Sequence, residues 1–480
     1  MGAGAKVVTL AALLTEHPFA DDEPLLHGVD GTRTAGDTRT AAREFADRLH
    51  ALGVRVGDAV AVQRPNDTSF IVAMFGVWLA GGVFVPVNAR APEAERAAAL
   101  HATRARILVS GDEILVEGDD LFATDDQRVY DANVAFVLWT SGTTGQPKPI
   151  LHTHTAYVEL LDRVLGPLRK NPAEVAKRPT PNLIPVSLAL NAGIYNVLFG
   201  LRAGAPIVVM DRFTPEALAA TVARHEIRST VLPPAAITMC NEAPTVTSLA
   251  PLKYVRSITA PLSALQAQRF AEKFGVTVLN GYGQAEIGEV IGWTATDARE
   301  HPGKIGAVGR PHPGVDVRIA EPDDRGCGRL LVRPPSMAAG YASGDDLSER
   351  IDADGYVDTG DIARIDDEGF VWIEGRGTDV INRGGNKVFP EHVEEVLRLS
   401  PAVIDAAVVG APDERLGEVP LAFVVTNAAV SDDELRELCR LHLVPYKIPV
   451  EFRIVDGLPR NEAGKLMRRD LAAQVGQEDT

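Results

Sequence analysis

The 480 residues include 48 Lys and Arg against 65 Asp and Glu, a formal net charge of −17. This balance argues against non-specific binding to nucleic acid or to an anionic membrane, so an anionic ligand needs local cations or a metal. The chain is 45% hydrophobic and 24% charged, which is typical of a folded protein of about two to four domain-sized units. Cys240, Cys327 and Cys439 are widely spaced, which favours a reducing compartment without disulfides or a zinc motif.

Apolar residues at helical spacing first appear over 40–52, and Gly53 ends that helix. The nearly apolar stretch 69–87 approaches the length of a membrane span, but Gly81 and Gly82 favour a buried helix, a turn and a strand. No signal peptide opens the chain, so we expect a cytoplasmic protein without a membrane span. Helical stretches alternate with strands predicted at 59–63, 107–109, 135–140, 206–210, 229–232 and 276–279.

This alternation predicts an α/β fold with parallel sheets covered by helices. From about residue 303 to residue 372 the pattern becomes β-rich, and a compact unit follows near Gly377. That unit has predicted helices at 390–399 and 431–441, strands at 406–409 and 422–425, and a loop-rich tail over 458–469. We therefore predict a large N-terminal domain with a β-rich subdomain over 1–377, and a small α+β C-terminal domain over 378–480.

A loop rich in small and hydroxyl residues follows the strand predicted at 135–140. Such residues cannot pack a core, but their backbone N–H groups and hydroxyls suit phosphate oxygens, and Lys148 adds a point charge. The spacing differs from the GxxxxGK[ST] loop, and a solvated turn is the alternative interpretation. The candidate phosphate-binding residues are Thr140, Ser141, Gly142, Thr143, Thr144, Gly145 and Lys148.

Five motifs in fixed order extend this signal over nearly the whole chain. They begin at Thr140, Asn280, Tyr356, Gly375 and Pro459 and end at Lys148, Glu286, Asp361, Gly385 and Lys465, respectively. With these motifs the chain resembles the acyl-adenylate-forming enzymes, which include acyl-CoA synthetases, aryl-acid ligases and adenylation domains. The resemblance implies that ATP activates a small carboxylic acid as an acyl-adenylate, with release of pyrophosphate.

The resemblance also implies roles for the nucleotide-binding residues. Tyr282 would stack on adenine, with Ala260 and Pro261 covering its other face, and Asp361 would accept hydrogen bonds from the ribose hydroxyls. Arg376 would contact ribose or phosphate. Glu286 would hold Mg²⁺ near the phosphates, because this hard cation prefers carboxylate oxygens. The remaining candidates around the nucleotide are Asn280, Gly281, Gly283 and Gln284.

Catalysis is expected from Lys465. Its ammonium would offset the repulsion between the carboxylate and the α-phosphate as charge builds in the transition state. In the family this lysine arrives with a mobile C-terminal domain that later swings away so that a thiol can attack. The corresponding hinge is Thr378. The residues expected beside the thiol are Arg383, Gly384, Gly385 and Lys387.

The acid pocket is expected between 187–195, 232–238 and the residues around Ala260 and Gly283. Its first wall contains no aspartate, so an α-amino acid is disfavoured, because a buried ammonium without a partner costs several kcal/mol. Asn191 and Tyr195 are polar handles in an apolar wall, which suits an aryl or medium-chain acid. His154 matches the family pattern and is a possible pocket residue, whereas a metal site built on His152 and His154 is disfavoured.

Several residues depart from the family pattern. Pro149, Ala285, Asn461 and Thr378 replace glycine, threonine, threonine and a charged hinge residue, respectively. Ile258 and Thr259 stand where two glycines usually precede Ala260. None of these changes removes Lys465, Glu286 or Asp361, so we expect activity with altered rates.

Three readings of function remain open from the sequence. The leading one is an acid–CoA ligase, because Arg383 and Lys387 suit the 3′-phosphate of CoA. A close alternative loads the phosphopantetheine arm of a carrier protein. Since the chain ends shortly after Lys465, either acceptor is expected in trans. The third reading, from another class, is a non-catalytic nucleotide-binding protein with the same fold.

Overall fold

The computed structural model describes residues 9–116, 129–140, 148–168, 179–342, 347–461 and 465–477. In these residues the α-helices are α1 (Ala12–Thr15), α2 (Ala35–Ala51), α3 (Thr68–Leu79), α4 (Glu93–Thr103), α5 (His154–Leu165), α6 (Asn191–Arg202), α7 (Pro215–Arg224), α8 (Pro234–Glu242), α9 (Ala264–Phe274), α10 (Ala295–Glu300), α11 (Pro390–Leu397), α12 (Asp432–His442) and α13 (Arg468–Gln477). The β-strands are β1 (Pro24–Gly28), β2 (Gly31–Thr34), β3 (Ala59–Gln63), β4 (Val83–Val87), β5 (Ile107–Ser110), β6 (Glu113–Val116), β7 (Val134–Thr140), β8 (Lys148–Thr153), β9 (Asn182–Ile184), β10 (Ile207–Val209), β11 (Ser229–Val231), β12 (Tyr254–Ser257), β13 (Thr277–Gln284), β14 (Gly288–Gly292), β15 (Arg310–Pro311), β16 (Asp316–Ala320), β17 (Gly328–Arg333), β18 (Gly340–Tyr341), β19 (Val357–Ile365), β20 (Val371–Arg376), β21 (Ile381–Arg383), β22 (Asn386–Val388), β23 (Val403–Asp413), β24 (Gly417–Thr426) and β25 (Glu451–Ile454).

Two large sheets form the N-terminal part of the molecule. One has the order β18-β8-β7-β4-β3-β5-β6 and the other β15-β14-β13-β12-β11-β9-β10-β1-β2. The central strands pair in parallel, from β7 to β5 in the first sheet and from β13 to β1 in the second, as the alternation of strands and helices predicts. Helix α3 shares one apolar core with strands of both sheets, which explains why nearly all of its residues are buried. In the described part of the chain, no helix is both long and apolar enough to span a membrane.

A four-stranded antiparallel sheet follows, in the order β16-β17-β19-β20. The last sheet has the order β22-β21-β24-β23, and β25 pairs with β24 in parallel. This arrangement confirms the predicted class, in which a large domain of sheets and helices with a β-rich part precedes a smaller α+β unit. The last sheet begins at Ile381, three residues after the hinge expected at Thr378.

Strand pairing brings distant motifs to one edge of this framework. Strand β13, which carries the motif around Tyr282, runs parallel to β12 and then pairs with β14 in the antiparallel sense. In the β19–β20 hairpin, Asp361 lies directly opposite Arg376. Tyr282, Gln284, Asp361 and Arg376 therefore all lie on strands, which fixes the positions of their backbones.

Candidate active site

The Asp361 carboxylate is the centre of the candidate nucleotide site. Its Oδ1 accepts a hydrogen bond from Arg376 Nη1 at 2.8 Å, and its Oδ2 accepts one from the Tyr282 hydroxyl at 2.5 Å. Gln284 Nε2 donates a third, 3.0 Å from Oδ2. Only 6% of Asp361 is exposed, and charge-assisted hydrogen bonds of this kind are stronger than neutral ones. Residues of three separate motifs thus form one group, here named the Asp361 network (Tyr282, Gln284, Asp361 and Arg376).

Tyr282 is held as a neutral donor. Burial first, and then the negative charge of Asp361, raise the pKa of its hydroxyl well above the ordinary value. At the neighbouring position 283 only glycine fits, because a Cβ there would lie 2.2 Å from the carbonyl oxygen of Gly288. The close approach of β13 and β14 at this glycine therefore fixes the direction of the tyrosine ring.

Lys465 faces the same group from the C-terminal part of the chain. Burial and the charge of Arg376 lower the pKa of its ammonium, and the charge of Asp361 raises it, so the lysine lies within electrostatic range of both. Two hydrogen bonds join Asn461 to Lys465. The Asn461 Oδ1 accepts from the Lys465 N–H at 2.9 Å, and the Asn461 N–H donates to the Lys465 carbonyl at 3.0 Å.

Arg468 anchors the segment that follows this lysine. Its guanidinium donates to the carbonyl of Val408 at 3.0 Å and to Glu391 at 3.0 Å, and it also bonds to Glu394. Its Nε lies 3.4 Å from Asp379 Oδ2. Asp379 in turn accepts from the hydroxyl of Thr378, the expected hinge residue, at 3.1 Å.

Glu286 is engaged through one of its oxygens. The Tyr341 hydroxyl and Arg350 Nη1 each donate to Oε1 at 3.2 Å. Among the described residues no group donates to Oε2, which leaves that oxygen for a hard cation. The Lys148 ammonium lies 5.3 Å from the centre of the Tyr341 ring, so the lysine of the phosphate loop and Glu286 share one neighbour. The sequence analysis missed Tyr341 and Arg350, which lie outside its motifs.

The phosphate loop begins where β7 ends. Thr140 is the last residue of that strand and is paired with Lys148, the first residue of β8. Pro149 continues β8, and its carbonyl accepts from the N–H of Ala342 at 2.7 Å. The other predicted phosphate-binding residues, Ser141, Gly142, Thr143, Thr144 and Gly145, lie outside the described residues.

The backbone before Ala260 and Pro261 is strained. Thr259 has a φ of 85°, in the left-handed region that favours glycine and disfavours a β-branched residue. This is the position where the family usually has glycine. On the neighbouring strand, Asn280 is nearly buried, and its side chain accepts from the N–H of Gly281 at 3.0 Å, which shapes the start of the Tyr282 motif.

The predicted acid-pocket residues lie on two helices. Asn191 opens α6, and its Oδ1 accepts from the Tyr157 hydroxyl at 3.0 Å, while the Tyr195 hydroxyl donates to Glu289 at 3.3 Å. His154 opens α5, is buried, and accepts from the N–H of Leu10 at 3.1 Å. Burial lowers the pKa of His154 to about 4.

His152 and His154 do not form part of a metal cluster. His152 stacks on Phe136 with ring centres 4.8 Å apart. Within the described ranges, no group of three or more His, Cys, Asp and Glu side chains is placed to hold a metal ion.

A second buried carboxylate lies next to the predicted acid pocket. Glu289 pairs with Arg256 and accepts hydrogen bonds from His312 Nε2 at 3.2 Å and from the Tyr195 hydroxyl at 3.3 Å. Burial raises the pKa of Glu289, but the charge of Arg256 and the hydrogen bond from His312 outweigh it and hold the pKa at about 2. These four residues are here named the Glu289 cluster.

The sequence analysis missed three members of the Glu289 cluster. Arg256 and Glu289 are charged residues inside otherwise apolar short strands, β12 and β14, and that contrast was the available signal. His312 lies just beyond β15 and carries no pattern of its own.

The expected thiol-acceptor residues lie in the β21–β22 hairpin, with Arg383 and Lys387 on the strands and the two glycines in the turn. Gly384 and Gly385 have φ values of 56° and 88°, as a two-residue hairpin turn requires. Arg383 Nη1 donates to the carbonyls of Tyr446 at 2.9 Å and Ile448 at 3.3 Å, which ties the hairpin to the following segment. Lys387 is exposed.

Comparison with known proteins places these motifs in a wider context. The family model described as "AMP-binding enzyme" matches residues 16–342, and the one described as "AMP-binding enzyme C-terminal domain" matches residues 392–465. Together they include the Asp361 partners Tyr282 and Gln284 in the first match and Lys465 in the second.

Curated relatives and solved structures span almost the whole chain. A 2-succinylbenzoate–CoA ligase of Bacillus subtilis is 29% identical over 92% of this chain and 93% of its own length. A relative from Rhodococcus jostii is 31% identical over 89% of this chain and 91% of its own length. Its name is "3-[(3aS,4S,7aS)-7a-methyl-1,5-dioxo-octahydro-1H-inden-4-yl]propanoyl:CoA ligase". The ATP-bound structure of MatB from Rhodopseudomonas palustris has the same fold, with a TM-score of 0.85 at 23% identity, over 98% of this chain and all of that one.

Proposed function

Because the chain belongs to the family of AMP-binding enzymes and is an ATP-dependent ligase that forms AMP, we propose that it joins an aryl or medium-chain carboxylic acid to the thiol of CoA. In the first step a carboxylate oxygen attacks the α-phosphorus of ATP, and pyrophosphate leaves. In the second step the thiol sulfur attacks the acyl carbon, the bond to the AMP oxygen breaks, and the thiol proton is lost to solvent.

One observation carries the proposal: Tyr282, Gln284 and Arg376, which come from two separate motifs, bond to the buried Asp361 carboxylate, and Lys465 lies within electrostatic range of it. Asp361 offers charged acceptors to the ribose hydroxyls, and Tyr282 offers a ring face to adenine. Lys465, arriving from a different domain, supplies a positive charge where two anions must approach each other. A cation placed in advance at this point stabilises the transition state more than the separated reactants.

Glu286 fits the role of a ligand for Mg²⁺. Its Oε2 accepts no hydrogen bond from the described residues, and Tyr341 and Arg350 fix the carboxylate through Oε1. Such an ion would neutralise phosphate charge, taking its other ligands from ATP and water. The chain itself contributes the orientation of the carboxylate and the Lys148 charge near the ring of Tyr341.

The acid class is proposed from the residues near α6. The polar atoms of Asn191 and Tyr195 are hydrogen-bonded to Tyr157 and Glu289, so they shape the pocket without adding a free charge. Buried apolar residues surround them on the helix. The acids in the names of the two curated relatives contain rings, which supports an aryl or similarly bulky acid.

CoA is proposed as the acceptor because Lys387 is exposed beside the Gly384–Gly385 turn, where it is free to meet a phosphate. The 3′-phosphate of CoA needs such a cation, and a phosphopantetheine arm on a carrier protein does not. Comparing CoA with dephospho-CoA separates the two acceptors. A higher KM for dephospho-CoA, and the same loss in Lys387→Gln with CoA, support this part of the proposal.

The test of the first step is ATP–pyrophosphate exchange across aryl, medium-chain, short-chain and amino acids. We expect exchange with aryl or medium-chain acids and none with α-amino acids. CoA is then added, and the thioester and AMP are measured. ATP binding without exchange for any acid would contradict the proposal and favour the non-catalytic reading.

A further inference from the structure

The Glu289 cluster lies where the three predicted walls of the acid pocket meet. Tyr195 comes from α6, the first wall. The carbonyl of Arg256 accepts from the N–H of Leu232 at 2.9 Å, which joins the cluster to the second wall. Glu289 lies beneath the third wall, because a Cβ built on Gly281 would be 3.1 Å from Glu289 Oε1. The cluster therefore belongs to the acid side of the site.

In the Glu289 cluster both carboxylate oxygens accept hydrogen bonds, whereas only some of the N–H groups of Arg256 donate to them. Glu289 takes hydrogen bonds on both oxygens, and its side chain is 7% exposed. Arg256 has five N–H donors, of which only those on Nη2 reach Glu289 among the described residues, and its side chain is 16% exposed. The unused edge of the guanidinium is therefore the part of the cluster that remains open to a ligand.

We propose that Arg256, oriented by Glu289, is the specificity-determining residue of the acid pocket. It selects acids that carry a second hydrogen-bond acceptor, a carbonyl oxygen, at the end remote from the reacting carboxylate. This inference rests on the proposed function and narrows its acid class. Arginine only donates hydrogen bonds, so it matches a carbonyl oxygen and rejects an apolar group of the same shape.

The physical reason is the free energy lost when a buried N–H group has no hydrogen-bond acceptor. When an acid fills the pocket and displaces water, an apolar end leaves the Arg256 N–H groups without a partner, whereas a carbonyl replaces the lost water. The pairing with Glu289 offsets most of the guanidinium charge, so a neutral acceptor is sufficient. The selected feature is therefore a keto group rather than bulk alone.

Two pairs of acids of matched shape test this inference in ATP–pyrophosphate exchange. They are 4-acetylbenzoate against 4-isopropylbenzoate, and 5-oxohexanoate against 5-methylhexanoate. In the pair that the enzyme uses better, we expect kcat/KM for the keto acid to exceed that for its isostere by about tenfold or more. Equal values, or a preference for the isostere, would overturn the inference while leaving the proposed function in place.

The matched variants remove the donor without leaving a lone charge. In Arg256→Met combined with Glu289→Met, the keto preference should fall to about one, and the KM for ATP should stay unchanged. Arg364→Met combined with Glu374→Met is the control, because that Arg–Glu pair, also joined by a histidine, lies on the β19–β20 hairpin. Its keto preference should equal that of the parent enzyme.

The results distinguish a failure of the proposed function from a failure of the inference about Arg256. No exchange with any acid contradicts the proposed function itself. If the double variant no longer binds ATP, Arg256→Lys gives the same test, because it keeps the charge and loses the planar fork of donors. An unchanged keto preference in that variant overturns the inference, and a reduced preference supports it.

Discussion

Asp361 and Glu289 are two buried carboxylates with parallel surroundings. Each accepts hydrogen bonds from a tyrosine, an arginine and one further side chain, Gln284 for Asp361 and His312 for Glu289. Their settings differ. The Asp361 network faces a lysine from the C-terminal part of the chain, whereas the Glu289 cluster is enclosed by strands and a helix of the N-terminal part.

Under the proposed function, this difference assigns the two carboxylates to two tasks, binding of the nucleotide and binding of the acid. On the nucleotide side, the carboxylate and its partners all lie in motifs, which fits a ligand common to the whole family. On the acid side, the carboxylate and its partners lie outside the motifs, which fits a ligand particular to this chain. Changes in one group should therefore affect ATP, and changes in the other should affect the acid or the stability of the fold.

The largest effect is expected on stability, from Glu289→Gln. Breaking one partner of a buried ion pair leaves Arg256 uncompensated and should destabilise the fold by about 3 kcal/mol at pH 7. Urea unfolding followed by fluorescence measures this change. The double variant Arg256→Met/Glu289→Met should be clearly more stable than Glu289→Gln, and a loss below about 1 kcal/mol in Glu289→Gln would contradict the importance of the pair.

The same pair gives a pH dependence with a definite sign. The pKa of Glu289 is about 2 in the folded protein, against an ordinary value of 4.5. The stabilisation by the ionised carboxylate is thus complete above pH 4.5 and is lost as the pH falls toward 2. The difference in stability between the parent and Glu289→Gln should therefore shrink over that range, and a difference that grows on acidification would show that the sign is wrong.

Next in size is the effect of Lys465→Ala on adenylation. Loss of this charge should lower the rate of pyrophosphate exchange by about 10²–10³-fold. Transfer of a supplied acyl-adenylate to CoA should change little, because the thiol step does not need the lysine. Lys253→Ala, at an exposed lysine on the N-terminal part, is the control. Exchange at the parent rate in Lys465→Ala would refute the assignment.

The substitution Asp361→Asn tests directly whether Asp361 acts on ATP rather than on the acid. Asparagine keeps the shape and loses the charge that strengthens hydrogen bonds to ribose, a loss of about 1.5–3 kcal/mol or roughly tenfold to a hundredfold in KM for ATP. The KM for the acid should stay the same. If Asp361→Asn raised the KM for the acid as much as that for ATP, the division of tasks between the two carboxylates would be wrong.

The smallest effect is expected at Thr259. Its φ of 85° strains any residue with a Cβ, so Thr259→Gly should be more stable than Thr259→Ala by about 1 kcal/mol. Thermal unfolding of the two variants measures the difference. Equal stability would mean that the surroundings relax around Ala260 and Pro261 and remove the strain.

Helices and strands could be predicted from the sequence where apolar residues recur in a regular pattern. Strand β3 has the predicted bounds, because a short run of small and branched residues sits between turns. Helix α2 begins at Ala35 rather than at residue 40, since Thr34 and Asp37 form a capping box before the apolar pattern starts. Helix α13 was not predicted, because only Leu471 and Val475 bury its face against the last sheet.

The candidate site was predictable only where motifs mark it. Lys465, Tyr282 and Asp361 were named from motif order; the bond of Tyr282 to Asp361, and the position of Lys465 within electrostatic range of both Asp361 and Arg376, support the proposed roles. Arg256 and Glu289 could not be paired in advance, because they are brought together by the packing of β12 against β13 and of β13 against β14. The two residues are far apart in the sequence, so only the order of the strands brings them together.

The anchoring of Arg468 limits how far Lys465 can travel. Three residues of fully extended chain span at most about 10–11 Å, so the lysine backbone cannot lie farther than that from the Arg468 backbone. Arg468 is bound to α11, to β23 and to Asp379 beside the proposed hinge, so the backbone of Lys465 stays within this distance of a residue fixed to the C-terminal sheet. In the domain movement that we propose, a rotation at Thr378 would therefore carry Lys465 along with the C-terminal sheet.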